Sequence, residues 1–395
     1  MEIELEEFSL PEWALACAGD GLAWLDGDGE SELGAESWLG VDPIEVVRAH
    51  YDELPALVDA RAPFPRWIGH LTYEGHARFA RYDALVRHAA GRTWIVAEDA
   101  AAARRLRDRL HDGRRTELPK IGEPEATPRE RHVRAIERAR EHIAAGDIYQ
   151  VNLARRWEAR FEGEPLGLFS AMRAASPVPL GFFQQLDGEA VCARTMERFI
   201  RWDPDATGRG PLESRPIKGT VQRTGDDTAD AETLRTDTKE HAEHAMIVDL
   251  VRNDLGRVAE IGSVHVHDAF RVEPYAKLHH LVSTVRCTTR AGTELTDVLR
   301  AAFPPGSITG APKIRAMEII AELEEGPRGA YCGALGYVGA SVELAVAIRT
   351  AVVADGRVTY HAGGGLVWAS DPEREVAETE LKARAFLDAL ESLWT

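Results

Sequence analysis

The sequence is poor in cysteine, in lysine, in net positive charge and in long hydrophobic runs, and each shortage excludes something. Its four cysteines (Cys17, Cys192, Cys287 and Cys332) lie far apart with no CxxC pair, so neither a disulfide framework nor a zinc site is indicated. The apolar runs, such as Ala345–Ile348, are far too short to span a bilayer. The opening residues Met1-Glu2-Ile3-Glu4-Leu5-Glu6-Glu7 are acidic where an export signal is basic and then apolar, so a cytoplasmic protein with no membrane contact is expected. A net charge of −18 argues against a nucleic-acid partner, which needs a basic footprint. It also means that any anionic ligand must be met by a locally built positive field. Phosphate-loop, early GxGxxG and HExxH motifs are all missing.

Lysine is the most telling shortage. Only six of the 47 basic side chains are lysine, yet one of them stands inside Pro216-Ile217-Lys218-Gly219-Thr220. Where charge alone suffices, this composition supplies arginine. A lysine in a Pro/Gly-flanked turn therefore hints at amine chemistry, because only an ammonium readily loses its proton and becomes a nucleophile.

What is present describes a globular chain. The 395 residues, 44% hydrophobic and 28% charged, provide for a large core in one or two domains. Residues 1–120 read as one unit, with short strands at Leu22–Leu25, Trp67–Thr72 and Thr93–Ala97 and an Ala/Arg helix near 99–111. The Pro/Gly/Glu-rich stretch Leu118–Pro128 reads as a linker, and 127–393 as a second unit. That unit opens with a helix capped by Thr127, begun by Pro128, boxed by Glu130 and stopped by Gly146. A strand over Ile148–Trp157 follows. Hairpin-like pairs follow in turn: Phe182–Asp187 with Ala190–Ala193, and Cys332–Val338 with Leu344–Val353 and Arg357–His361. The pattern predicts an antiparallel α+β sheet rather than alternating βαβ units.

Two predicted helices carry carboxylates at helical spacing. In Lys239–Leu255, Glu240 and Glu243 share a face that Ile247 and Asp254 continue, with Gly256 as cap. In the last helix, begun by Ser370-Asp371-Pro372-Glu373, the face carries Glu375, Glu378 and Lys382. Each face alone reads as solvated. If both lined one cleft, like charges would repel unless a cation sat between them, and oxygen-only ligands suit Mg²⁺. Three glycine-rich or arginine-bearing segments add a candidate anion pocket. Pro304–Lys313, with Thr309, runs into a helix at Ile314–Leu323. Ala362–Leu366 brings in Gly363, Gly364 and Gly365. Arg349 sits in a strand-like run, where burial demands a carboxylate partner, internal or from a ligand. Together they describe a site for a small dicarboxylate.

Taken in order, these segments resemble the chorismate-utilising enzymes. The resemblance runs from Asp147–Asn152 through Glu197-Arg198-Phe199, the Lys218 pentapeptide, Ala242–Asp254, His280–Ser283, Gly306–Lys313, Tyr331-Cys332-Gly333, Arg349 and Gly363–Gly365 to Glu375–Lys382. It covers about 127–393, with only a loose match near Gly69–Glu74 before that. Within the family, Lys218 is similar to the aminodeoxychorismate-forming component I, whereas anthranilate synthases carry alanine in its place. Gln150 stands where members that add water carry a lysine base, and glutamine has no titratable nitrogen.

The resemblance implies an α/β sandwich: two large antiparallel sheets packed face to face, with helices outside. It implies Lys218 as the nucleophile on C2 of chorismate and Glu197 as the acid for the departing C4 hydroxyl. Lys218 must then be neutral, so burial is expected for it, and Glu197 must be held protonated. His280 would lie beside the ring, as the base in members that eliminate pyruvate. Mg²⁺ would be held by Glu243 and Glu378, with Glu240 and Glu375 behind them. Gln150, Thr309, Tyr331, Arg349, Gly363, Gly364, Gly365 and Lys382 would bind substrate; which cation meets which carboxylate stays open. With no Gly-x-Cys-x-Gly elbow in view (Cys17 lies in Ala-Cys-Ala), ammonia is expected from a separate glutamine amidotransferase subunit. The expected product is 4-amino-4-deoxychorismate, toward para-aminobenzoate and folate. The alternatives are an anthranilate or isochorismate synthase, and a non-catalytic homologue that binds chorismate or tryptophan.

Overall fold

Alternating apolar strands need two faces covered, and here two large sheets cover each other. The structure, a computed structural model, describes residues 1–5, 9–29, 31–111, 118–275 and 278–393. Among the described residues every strand pairing is antiparallel. One sheet has 13 strands and the other ten. The larger sheet runs from Glu2–Leu5 through Ala23–Asp26, Leu180–Leu186, Glu189–Thr195, Thr350–Ala354 and Arg357–Leu366 to the long strand Gln150–Glu162. The smaller runs from Ile217–Gln222 through Leu278–Thr288, Pro211–Arg215, Arg198–Trp202, Val342–Val346 and Ala334–Val338 to Trp67–Leu71, His76–Arg81 and Glu45–His50. Strands from the first hundred residues thus join both sheets.

Between the sheets, Phe182, Val191 and Ala193 of one meet Ile68, Leu335 and Ala345 of the other. On the outer face of the smaller sheet, Ile247, Val251, Leu255, Val298 and Leu299 from two helices pack on Phe199, Leu212 and Val285. On the larger sheet, Phe169 and Phe386 do the same against Trp157, Phe183 and Tyr360. Full burial of such a side chain contributes about 1.5–3 kcal/mol, so these layers hold the strand ends in fixed places. No described helix is long and apolar enough to cross a membrane.

Several local expectations shift. The helix after the linker is Arg129–Ala145 with Pro128 as its cap, and no capping box forms. Thr127 is drawn into the sheet instead, its N–H bonding Arg156 O at 2.8 Å. The linker lies along Gln150–Glu162 as two short strands, Lys120–Ile121 and Glu125–Ala126. Gly256 is the last residue of the helix Thr238–Gly256 rather than its cap, and Arg257 follows it. In the last helix, Pro372–Glu391, Asp371 is the cap and accepts from Arg374 N at 3.0 Å.

The largest difference concerns Leu344–Val353. It is not one strand but two, Val342–Val346 and Thr350–Ala354, in different sheets. Arg349, at φ 53°, marks the break. Glu197 lies at the matching passage between Glu189–Thr195 and Arg198–Trp202. The apolar run hides this passage because both halves are buried.

Candidate active site

The two passages bring chemistry to one place. Val346 N–H bonds Glu197 O at 2.9 Å, and Arg194 N–H bonds Arg349 O at 3.1 Å, so the two crossings lie side by side. Glu197 is 4% exposed. Burial pushes its carboxyl up to about 7, although the Ser307 hydroxyl, the Lys218 ammonium and the Ile217 N–H pull the other way. Lys218 lies in the strand Ile217–Gln222 and is half-buried rather than enclosed. Burial holds its ammonium below the ordinary value and the Lys382 charge adds to this, while Glu197, Glu243 and Glu378 oppose it.

The two carboxylate faces do meet. Burial raises Glu240, Glu243 and Glu375; Glu378 repels Glu240 and Glu375, while Glu240 and Glu375 repel Glu243. A Cβ placed on Gly364 would sit 3.2 Å from Glu375 Oε2 and 3.5 Å from Glu378 Oε1, and one on Gly219 would sit 3.3 Å from Glu240 Oε2. Burial also penalises the Glu378 carboxylate, but the Lys382 ammonium at 2.5 Å outweighs it and holds the group low. Among the described residues, Glu243 Oε1 and Glu375 Oε2 are buried without hydrogen-bond partners. The Lys239 ammonium stands 3.7 Å from Glu243 Oε1. No three of these glutamates offer oxygens all within 4.8 Å of one another; among the described residues only Asp227, Asp230 and His279 do. There the Arg223 guanidinium already bonds Asp227, and Thr224 bonds Asp230.

The floor of the site is a strand. Gly363, Gly364 and Gly365 lie inside the strand Arg357–Leu366, paired with Gln150–Glu162. Their lack of side chains is a matter of clearance: a Cβ on Gly365 would strike the Gln150 amide and lie 3.5 Å from Lys218 Nζ. Gln150 is 1% exposed. Tyr331 is buried, its ring stacked on His361, and its hydroxyl is 3.0 Å from the Cβ position of Gly363. Lys382 Nζ also donates to Gly363 O at 2.8 Å. His280 is buried, with Nδ1 3.0 Å from Thr220 Oγ1 and Nε2 without a hydrogen-bond partner among the described residues. Burial and the Arg349 charge lower it to about 4.

Two binding candidates are already engaged. Thr309 is fully buried and its hydroxyl donates within its own loop, to Pro305 O or Gly306 O at 3.2 Å. Among the described residues Arg349 has no carboxylate partner; it donates to Lys382 O at 2.5 Å, in the middle of the last helix.

Sequence reasoning passed over Arg328 and Asn152. Arg328, 3% exposed, bonds Glu324 at 2.6 and 2.8 Å, Ile308 O at 3.0 Å and Asn152 O at 2.7 Å. It lies over the Tyr73 ring at 4.7 Å and the Tyr331 ring at 5.8 Å, tying the turn after Leu71 to the site. Its i,i+4 spacing from Glu324 was the available signal. Asn152 stands two residues after Gln150 in one strand, hence on the same face.

Comparison with known proteins is decisive at the level of family. The family model for chorismate binding enzymes matches residues 43–388. The chain belongs to this family. The match reaches well upstream of the region that the motifs alone outlined. An anthranilate synthase component 1 from Streptomyces coelicolor is 48% identical over 261 residues, 65% of this chain and 50% of its own length. An aminodeoxychorismate synthase component 1 from Salmonella typhimurium is 44% identical over 255 residues, 63% of this chain and 55% of its own length. The chain spans about half the length of the curated relatives it matches. Anthranilate synthase component I from Streptococcus pneumoniae TIGR4 superposes with a TM-score of 0.77 at 26% identity, over 90% of this chain and 93% of that one. This chorismate binding enzyme therefore has relatives of both kinds, with the two-sheet architecture expected.

Proposed function

We propose that this chain aminates chorismate at C4, the reaction of an aminodeoxychorismate synthase component I. One observation carries the reading: an amine held below its ordinary pKa, Lys218, stands near a carboxyl held above its own, Glu197. Groups pushed apart in this way suit a nucleophile and a general acid at neutral pH.

The steps follow from those two states. The neutral Lys218 amine attacks C2, the double bonds shift, and the C4 hydroxyl leaves as water with the Glu197 proton. Ammonia then attacks C4, the double bonds shift back, and the C2–nitrogen bond breaks to free Lys218. The proton surplus on the new amine returns Glu197 to its acid form. Gln150 cannot accept a proton, which leaves water unactivated at that edge. The Lys382 ammonium, the Arg349 guanidinium and the Tyr331 hydroxyl supply the donors for the substrate carboxylates.

The carboxylates fit a divalent cation. Two buried oxygens without hydrogen-bond partners among the described residues (Glu243 Oε1, 3.7 Å from the Lys239 ammonium, and Glu375 Oε2) and carboxyls raised by burial and by one another suit added positive charge. Glu243 and Glu378 would hold Mg²⁺, with Glu240 and Glu375 behind. When bound, it would offset their charge and hold a substrate carboxylate. The designation of relatives as component 1 supports a second component, a glutamine amidotransferase delivering ammonia.

A second reading, anthranilate synthesis, is favoured by His280, whose neutral imidazole and unpartnered Nε2 suit a base for pyruvate elimination. Direct amination at C2 would leave Lys218 without a task. Mass spectrometry of products from chorismate, Mg²⁺ and an ammonium salt separates the two. Aminodeoxychorismate from the wild type and its loss in Lys218→Ala is the expected result; anthranilate or isochorismate would overturn it.

A further inference from the structure

Among the described residues, two lysines and no arginine form ion pairs with the four glutamates of the cleft, although arginine supplies nearly all of the basic side chains. The two lysines are held differently. Lys382 is fixed, with Nζ 2.5 Å from Glu378 Oε1 and donating to Gly363 O at 2.8 Å. Lys239 Nζ stands 3.7 Å from Glu243 Oε1, beyond hydrogen-bond length, and its side chain is 54% exposed. Burial raises the Glu240, Glu243 and Glu375 carboxyls, and the Lys239 charge pulls each of them down. It acts on Glu378 too, behind the nearer Lys382. One mobile ammonium therefore stands within reach of all four.

Helix stability does not account for that lysine. Lys239 is the second residue of Thr238–Gly256, at the positive end of the helix dipole, where a cation is disfavoured. Glu243 lies four residues C-terminal to it, the weaker order for such a pair. The residue type matters as well. A guanidinium forks onto both oxygens of a carboxylate and holds them, whereas an ammonium on a flexible stem is a compact, hydrated charge that can come and go.

Resting on the divalent-cation reading above, we propose that Lys239 is a tethered counter-ion, which stands before the glutamates when no metal is bound and is displaced when one is. Without metal, its ammonium offsets part of the repulsion around Glu243. When Glu243 and Glu378 hold a divalent cation, like charges repel and the ammonium swings into solvent, where more than half of the side chain already lies. Wild type then holds Mg²⁺ more weakly than the glutamates would without Lys239.

The test is calorimetric titration of the purified chain with magnesium chloride, without chorismate. Lys239→Met keeps the stem and removes the charge, and the Mg²⁺ Kd should fall about three- to fivefold, the size of a partly exposed pair. Lys239→Arg keeps the charge in a form that grips Glu243, and its Kd should rise about twofold or more. Both changes fall at an exposed site; if methionine impairs folding, Lys239→Gln gives the same readout. A Kd for the uncharged variant equal to or above that of wild type overturns the counter-ion alone. A wild type that binds no Mg²⁺ overturns the carboxylate cation site and the counter-ion with it.

Discussion

Glu197 and Arg349 occupy the two adjoining points at which the chain passes from one sheet to the other, tied by Val346 N–H to Glu197 O at 2.9 Å and by Arg194 N–H to Arg349 O at 3.1 Å. The passage puts Arg349 in left-handed backbone, at φ 53°. A non-glycine residue held there costs on the order of 1–3 kcal/mol. Arg349→Gly relieves that strain and removes the cation. Its melting temperature should stay within a few degrees of wild type while the chorismate KM rises tenfold or more. Arg349→Val, β-branched at the same φ, should lose both. A fall in stability for the glycine variant equal to that for valine would show that the cation, not the backbone, governs the passage.

The Glu197–Lys218 pair sets a pH profile. Activity requires Glu197 protonated and Lys218 neutral, so kcat/KM should fall on the alkaline side with a midpoint near 7, where Glu197 titrates. The acid limb belongs to Lys218, whose pKa is lowered. Stability follows the same group. The folded Glu197 pKa, about 7, exceeds its ordinary 4.5, so its contribution is complete below pH 4.5 and is lost as pH rises through 7. Glu197→Gln should thus melt at about the wild-type temperature at pH 4.5 and above it at pH 8. Its activity should be at least a hundredfold lower, with no alkaline limb. Equal melting temperatures at pH 8 would show that the buried carboxylate is not destabilising.

The carboxylate faces give a metal test with two readouts. Glu240, Glu243 and Glu375 are raised by burial and mutual repulsion, so without a cation they oppose the fold. Wild type should gain melting temperature on Mg²⁺ addition, as RT ln(1 + [L]/Kd) requires. Glu243→Gln should melt higher than wild type in EDTA and lose most of the Mg²⁺-dependent gain. Calorimetry in the two buffers measures both. If Glu243→Gln keeps the full gain, the cation is held elsewhere.

Much of this was legible in the sequence, and for identifiable reasons. Lys218 stood out because lysine is scarce, and Glu240/Glu243 and Glu375/Glu378 because helical spacing is regular. The meeting of the two helices was not legible, since it depends on how the outer layers pack. Nor was the break at Arg349, because Ala345–Ile348 is as apolar as a continuous strand and local composition does not record a change of sheet. The glycines at 363–365 signalled a candidate anion pocket but not the strand that carries them. Antiparallel pairing over ten residue pairs, from Val151 with Leu366 to Arg160 with Arg357, overrides the weak strand propensity of glycine there.

That strand also yields a paired prediction about space. A Cβ on Gly363 would lie 2.6 Å from Leu153 O, a backbone atom fixed in the ladder. Gly363→Ala must push the two strands apart, and it should lower the melting temperature by several degrees. A Cβ on Gly365 instead meets the Gln150 amide, the movable end of a side chain, with Lys218 Nζ at 3.5 Å. Gly365→Ala should keep its melting temperature within about two degrees of wild type yet lose tenfold or more in kcat/KM, because the Gln150 amide must move from its place and the new methyl group lies against Lys218. Thermal melts of the two variants, set beside their kinetics with ammonium and chorismate, measure the contrast. If Gly365→Ala proves fully active, Gln150 and Lys218 do not share the cleft that the strand floor defines. If Gly363→Ala is as stable as wild type, the ladder has slack that the 2.6 Å approach to Leu153 does not allow.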